Sequence, residues 1–251
     1  MSPLTIILQD CLCCLGGKRD EVYDYQCKKT VGASNAEKSN GIYKELISKA
    51  ASSGFTVPIF FLFFSSSFLI AAFFMPDRAQ MLPGLWQILS QPSKLTCSYF
   101  AIGGYAATFL NMGLVGLVCT ALYRLPGEKP NHAATLVTIL TTGFGSWGIH
   151  IVNMWPTIFG VCLHCLVKKQ KLGSYTNAML FSTGLAPFIS ELMVRYPNPD
   201  VVGFTPAGVL VALVIGIFAG FFLPAGLDNS PRIHKGFALY SAALPVGMTA
   251  F

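Results

Sequence analysis

Long uncharged stretches alternate with short polar joints from residue 54 onward. Residues 54–75 carry no charge and end at Pro76; residues 99–123 carry none and end at Arg124. Residues 176–194 are apolar apart from Glu191, and residues 201–227 are uncharged up to Asp228. A helix needs about 20 apolar residues to cross a bilayer, so each of these four stretches reads as a spanning helix. A last apolar run starts at Gly236 and stops at Phe251. It reaches only about 24 Å at about 1.5 Å per residue, which reads as an incomplete fifth span.

Residues 133–167 break the pattern. They form an uncharged run too long for one crossing and too short for two crossings with a turn. Its middle reads Gly143-Phe144-Gly145-Ser146-Trp147-Gly148, which makes a continuous helix costly, and Pro156 adds a second break. The segment is therefore expected to be a re-entrant hairpin with its tip near Gly145, lodged where protein or a water-filled cavity surrounds its irregular backbone. Charge supports this. With the amino terminus in the cytoplasm, a hairpin puts 14 Lys+Arg inside and 3 outside, whereas a single crossing puts 10 inside and 7 outside. The competing reading is one long kinked helix. The predicted fold is thus an all-α integral membrane bundle of about five to six spans, the hairpin included.

Composition agrees. Hydrophobic residues make up 53% of the 251, and charged residues 11%, against about 25% charged in soluble domains. So few charges could not cover a soluble globule, which excludes an ordinary cytosolic enzyme, a disordered chain and a coiled coil. Residues 1–50 hold 7 Lys+Arg and 6 Asp+Glu, and residues 51–251 hold 10 and 5. The first fifty therefore read as a polar, poorly packed cytosolic tail, and residues 51–251 as the membrane domain, placed in the plasma membrane. Ile42, Tyr43, Leu46 and Ile47 have the spacing of an interfacial lead-in helix. The net charge of +6 sits in short joints, as a bilayer requires, and implies no nucleic acid.

Polar residues within the apolar runs are the candidate pathway groups. Asn111 lies mid-span, either facing a cavity or joining two helices by a hydrogen bond. Ser182-Thr183-Gly184 ahead of Pro187 suggests a helix unwound near its middle, or a simple proline kink. A solute site near midplane would be lined by Asn111, Thr142, Ser146, Ser182 and Thr183. Glu191 is the one acid inside an apolar run, and it is either a coupling group or the partner of Arg195 four residues on. Gly208, Ala212, Gly216 and Gly220 form a small-residue stripe suited to close helix packing.

Catalytic chemistry has no matching pattern. Cys11, Cys13, Cys14 and Cys27 lie in the tail, and Cys162 and Cys165 flank His164 as a lone CxxC, short of the ligand set a zinc site needs. His132, His150, His164 and His234 are dispersed, with His150 near the expected tip. No nucleophile elbow, phosphate loop or dinucleotide fingerprint occurs. No catalytic residue, metal or cofactor is assigned, and the protein is read as a non-enzyme.

A weak internal repeat at an offset of 131 aligns Ala107 with Ala238, Val115 with Val246 and Gly116 with Gly247. In the hairpin topology it would be inverted, a recurring transporter design. Four motifs then carry a resemblance: Asn111-Met112-Gly113-Leu114-Val115-Gly116, Asn153-Met154-Trp155-Pro156 with Gly160-Val161, Phe181-Ser182-Thr183-Gly184-Leu185-Ala186-Pro187 through Ser190-Glu191-Leu192, and Lys235-Gly236-Phe237-Ala238-Leu239-Tyr240. Together, across roughly residues 55–251, they resemble an uncharacterised family of bacterial multi-spanning proteins, domain of unknown function fifteen seventy-six. The resemblance implies a longer protein whose second half repeats the first, of which this chain would be a truncated or split form. Ser241 stands where an asparagine like Asn111 is expected.

The expected function is transport or conduction of a small solute. The alternatives are a non-catalytic structural or assembly protein and, less favoured, a membrane-embedded enzyme. The expected partners are the lipid bilayer and either a second copy or a separately encoded second half, because the small-residue stripe is expected to lack a helix to meet.

Overall fold

The computed structural model describes residues 56–93, 98–124, 132–198, 200 and 202–234. The tail, the lead-in helix and the run from residue 236 to 251 lie outside the described residues, so no structural statement about them follows. The elements in order are α1 (Thr56–Phe74), a 3-10 turn (Arg78–Gln80), α2 (Met81–Ser90), α3 (Tyr99–Arg124), α4 (His132–Phe144), α5 (Trp155–Val167), a 3-10 turn (Leu172–Tyr175), α6 (Thr176–Ser182), a 3-10 turn (Thr183–Leu185), α7 (Ala186–Arg195) and α8 (Pro206–His234). The described residues contain no strand.

Four segments are long and apolar enough to cross a membrane: Val57–Phe74, Tyr99–Arg124, Leu172–Arg195 and Pro206–Asn229. They coincide with the four long apolar stretches of the sequence. Phe63 and Phe74 of α1 and Leu210 and Phe218 of α8 are exposed. An apolar surface of this kind suits lipid rather than water. The protein is a multi-pass, all-helical membrane protein.

α1 runs antiparallel to α3. Gly113 faces Leu69, Gly116 faces Ser65, and the Phe61 and Tyr123 rings meet at 5.6 Å. The two glycines leave room for α1 side chains and let the helices close up.

α3 is not one straight helix. Gly104, at φ 81 and ψ 179, interrupts it. The interruption has a cap supplied from a distant part of the chain: Asp77 accepts the Ala106 N–H on Oδ1 at 3.1 Å and Oδ2 at 3.3 Å. A carboxylate there satisfies a donor that the break would orphan and opposes the positive end of the helix dipole. The sequence reading took residues 99–123 as one unbroken span and passed over the Gly103-Gly104 pair, whose backbone freedom permits the break. The sequence reading also assigned no element to the stretch after Pro76, where α2 packs against α3 with Gly84 close to Gly103.

Residues 133–167 form two helices of 13 residues each, α4 and α5, joined by a non-helical stretch from Gly145 to Met154. Each is about 20 Å long, short of a full crossing. Gly148 takes φ 75 within the connection, a conformation an L side chain resists.

The expectation that the small-residue stripe lacks a partner is corrected. Gly208, Ala212, Gly216 and Gly220 are all buried. Gly216 lies against Pro156, Gly220 against Thr157, and Gly160 of α5 against Ile217 and Gly220. Gly208 meets the carbonyls of Met193 and Tyr196, and Ala212 packs with Ile189, Met193 and Val194. Spacing identifies a face built for close approach but not the helix that approaches it. Here a half-length helix with its own glycine and the nearby α7 cover the stripe.

Between α6 and α7 the chain tightens into the 3-10 turn Thr183–Leu185, and Pro187 sits in the first turn of α7. The unwound helix expected at Ser182-Thr183-Gly184 is not seen: Ser182, Thr183, Leu185 and Ala186 keep helical backbone angles, and the segment narrows to a 3-10 turn ahead of Pro187, nearer to the proline kink that was the alternative.

Candidate functional site

The non-helical connection between α4 and α5 is held by side chains from α3 and α7 and by two of its own. Asn111, fully buried in α3, donates from Nδ2 to the carbonyls of Gly145 (2.7 Å) and Ile149 (2.9 Å). Its Oδ1 accepts the Ile151 N–H at 3.3 Å. One amide thereby satisfies three backbone groups that have no helix to satisfy them. Gly145 allows this approach, because a Cβ there would come 3.0 Å from the Met112 Cα.

A second amide works within the connection. Asn153 donates to the Gly148 carbonyl at 2.8 Å and accepts the His150 N–H at 2.9 Å. The Val152 and Asn153 N–H groups both point at His150 Nδ1 from 3.3 Å. That assigns the ring proton to Nε2, which faces Ser190 Oγ of α7 at 3.5 Å. The chain of polar groups continues outward. Ser190 Oγ lies 3.2 Å from Ser93 Oγ, Tyr99 donates its hydroxyl to Ser93 at 2.7 Å, and the Tyr99 N–H donates to the Ser146 carbonyl at 3.0 Å. His150, Ser190, Ser93 and Tyr99 are all essentially inaccessible to solvent.

The candidate residues do not form one site. Asn111 and Ser146 meet at the connection, Ser146 Oγ donating to the Gly143 carbonyl at 2.8 Å. Ser182 and Thr183 are buried at the α6–α7 break, where each returns its hydroxyl to its own helix, to the Met179 and Leu180 carbonyls. Glu191 pairs with Arg195, Oε1 to Nε at 3.4 Å, on a partly exposed turn.

Thr142 stands apart from these. It is fully buried one turn before the connection, and its Oγ1 has no hydrogen-bond partner; the same holds for Thr138, one turn earlier on the same face of α4. An unpartnered buried hydroxyl costs about 1–3 kcal/mol.

Ser93, Tyr99, Asn153 and Ser190 are the polar residues that the sequence reading did not assign to the site. Asn153 and Ser190 lay inside the motifs that carried the family resemblance. Ser93 and Tyr99 sit in a joint and at a helix start, with no periodicity to mark them.

The buried polar side chains share one electrostatic property. Among the described residues they are Ser, Thr, Asn and His, with no buried Asp, Glu, Lys or Arg. His164, between Cys162 and Cys165, bonds through Nδ1 to the Phe221 carbonyl at 2.8 Å, and both cysteines are free. No group of three His, Cys, Asp or Glu side chains is arranged to hold a metal among the described residues.

No curated protein and no solved structure matches this chain. One family model does, described as protein of unknown function, DUF1576, and it covers residues 77–251. The matched region holds α2 through α8, the α4–α5 connection and every member of the polar network around it. The chain belongs to the DUF1576 family.

Proposed function

We propose that this protein is a plasma-membrane transporter or channel for a small solute, with the amino terminus in the cytoplasm and α4, its connection and α5 forming a re-entrant segment. The observation that carries the reading is the irregular backbone of residues 145–154, buried against Asn111 near the middle of a 26-residue span. Non-helical backbone at membrane depth is confined to places enclosed by protein or lining a water-filled cavity, and broken helices of this kind build solute sites in transporters. The re-entrant path is supported by the hydrogen bond from the Tyr123 hydroxyl, at the end of α3, to Asn177 Oδ1, at the start of α6. It draws together the two points between which α4 and α5 lie. The charge distribution, 14 basic residues inside against 3 outside, supports the orientation.

The chemistry is read as non-enzymatic, with a second copy or a separately encoded second half as the protein partner. Leu136 of α4 and Leu166 of α5 expose large apolar surface to lipid or to such a partner. A structural or assembly role is the second reading, and the complete pairing of Asn111 within the chain favours it.

Reconstitution of the full chain into liposomes tests the proposal. Stopped-flow light scattering would follow glycerol and urea, and membrane current would follow Na+, K+ and Cl−. Flux of any probe above that of protein-free vesicles supports transport. A folded, monodisperse protein passing none of them leaves the structural reading.

A further inference from the structure

We infer that the groove between α5 and α8 is a binding site for one anionic phospholipid, with an acyl chain lying in the groove and the phosphate at Lys168, Lys169 and Lys171. The inference needs the membrane setting of the helices and not the transport reading. Gly160 of α5 lies against the backbone of Ile217 and Gly220 of α8, and His164 bonds through Nδ1 to the Phe221 carbonyl at 2.8 Å. These two contacts bring the helix backbones together. Beside that line of approach lies a groove of about 360 Å³, lined by Leu163, Val214, Ile217, Phe218, Phe221 and Phe222.

The lining fixes the chemistry of the occupant. All six side chains are hydrocarbon, and Leu163, Val214, Phe218 and Phe222 are exposed, so the groove opens on the lipid side of the bundle. The Phe218 and Phe222 rings meet at 4.8 Å and the Phe221 and Phe222 rings at 5.2 Å, which makes one wall a continuous aromatic surface. A helix of about 10 Å diameter fills more than this volume within one turn of about 5.4 Å, so a helix would lie across the groove rather than in it. A single acyl chain is thin enough to enter, and its methylenes match the walls.

Charge decides which lipid. α5 ends at Val167, and the chain leaves it through Lys168, Lys169 and Lys171, all exposed. Leu163 precedes Lys168 by about 7.5 Å along the axis at about 1.5 Å per residue, so the lysines stand just past the end of the groove. The Lys169 N–H turns back to the Leu166 carbonyl at 3.2 Å and the Gln170 N–H to the Cys165 carbonyl at 2.9 Å, which stops the helix and fixes where the lysines emerge. α8 brings Asp228 and Arg232 to its own last turns, one charge of each sign, and so leaves the lysines uncancelled. Basic clusters at helix ends beside a bilayer take anionic headgroups. A zwitterionic lipid offers the same phosphate but sets its own ammonium among the lysines.

The experiment is native mass spectrometry of the full chain in detergent, after exchange against equal amounts of dioleoyl phosphatidylglycerol and dioleoyl phosphatidylcholine. The parent is expected to retain one phosphatidylglycerol in preference to phosphatidylcholine. Lys168→Gln/Lys169→Gln/Lys171→Gln should cut that preference by about tenfold or more, since each lysine near an anionic surface is worth about fivefold, and Lys168→Arg/Lys169→Arg/Lys171→Arg should keep it. Val214→Trp fills the groove from its lipid-facing wall and should lower retention of both lipids. If the Gln triple does not fold, Lys168→Gln/Lys171→Gln makes the same comparison. Equal retention of the two lipids by the parent, or a preference that survives the Gln substitutions, overturns the anionic site. A preference lost with the lysines but untouched by Val214→Trp overturns the groove as the seat of the chain. A dimer that holds no lipid and that Val214→Trp dissociates gives the groove to a second copy and overturns the lipid. None of these outcomes depends on whether the protein passes a solute.

Discussion

Tyr123, one residue from the end of α3, donates its hydroxyl to Asn177, the second residue of α6. Between them run 53 residues that include two half-length helices and a buried irregular connection. The bond ties the exit of one spanning segment to the entrance of the next, and the Tyr123 ring is itself packed on Phe61 of α1. The topology of the bundle turns on this tie.

Arg124 and Ser174 flank that junction and are exposed, and Asn198 is exposed beyond the far end of α7. Single cysteines at these three positions, in a background without the 8 native cysteines, test the topology with a membrane-impermeant thiol reagent. Arg124→Cys and Ser174→Cys are expected to label from the same face and Asn198→Cys from the other. Labelling of Arg124→Cys and Ser174→Cys from opposite faces would refute the re-entrant path.

Asn111→Leu should lower stability by about 2 kcal/mol, because it keeps the volume but leaves three backbone groups of the α4–α5 connection unpaired. Thermal unfolding in detergent measures this. A variant as stable as the parent would show that the connection has other means of satisfying its backbone.

Gly160→Ala and Gly143→Ala should move stability in opposite directions. At Gly160 a Cβ would lie 2.8 Å from the Gly220 Cα and the Phe221 N, backbone atoms that cannot rotate aside, so α5 and α8 must separate at a cost of about 1–3 kcal/mol. At Gly143 a Cβ meets nothing within 4 Å, and helix propensity adds about 0.5 kcal/mol. Melting temperatures of the two variants, measured side by side, decide it.

Asp77→Ala should cost about 1 kcal/mol by removing the cap on the Ala106 N–H, while Asp77→Asn keeps an acceptor and costs less. Gly104→Ala should be worse than either, since it forces a side chain to φ 81 beside the same carboxylate. Equal stability of Asp77→Ala and the parent would mean that the break is held by packing alone.

How far the site was legible follows from residue type. A lone Asn in an apolar span has to find partners, so Asn111 announced itself. A Gly-rich centre in an over-long run has to break, so Gly143 and Gly145 marked the end of α4 to within a residue. Ser93 and Tyr99 carried no such signal, because a serine in a joint and a tyrosine at a helix start are unremarkable until the chain folds Ser190 and His150 onto them. Thr142 was picked out among candidate solute contacts, but the absence of a partner for its hydroxyl depends on which atoms of α1 and α3 lie opposite.

The sequence by itself determined the class, the four spanning segments, the Gly-rich break near Gly145 and the small-residue face of α8. These are local properties: the length of an apolar run, the backbone cost of glycine and proline, and the spacing that puts residues on one side of a helix. The tertiary structure decided the partners. It set α5 and α7 on the face of Gly208, Ala212, Gly216 and Gly220, capped α3 with Asp77, and returned the chain to Tyr123 before α6. Each is a pairing between distant residues, and hydrophobic patterning cannot specify such pairings, because lipid and neighbouring helix are equally apolar to the residues that face them.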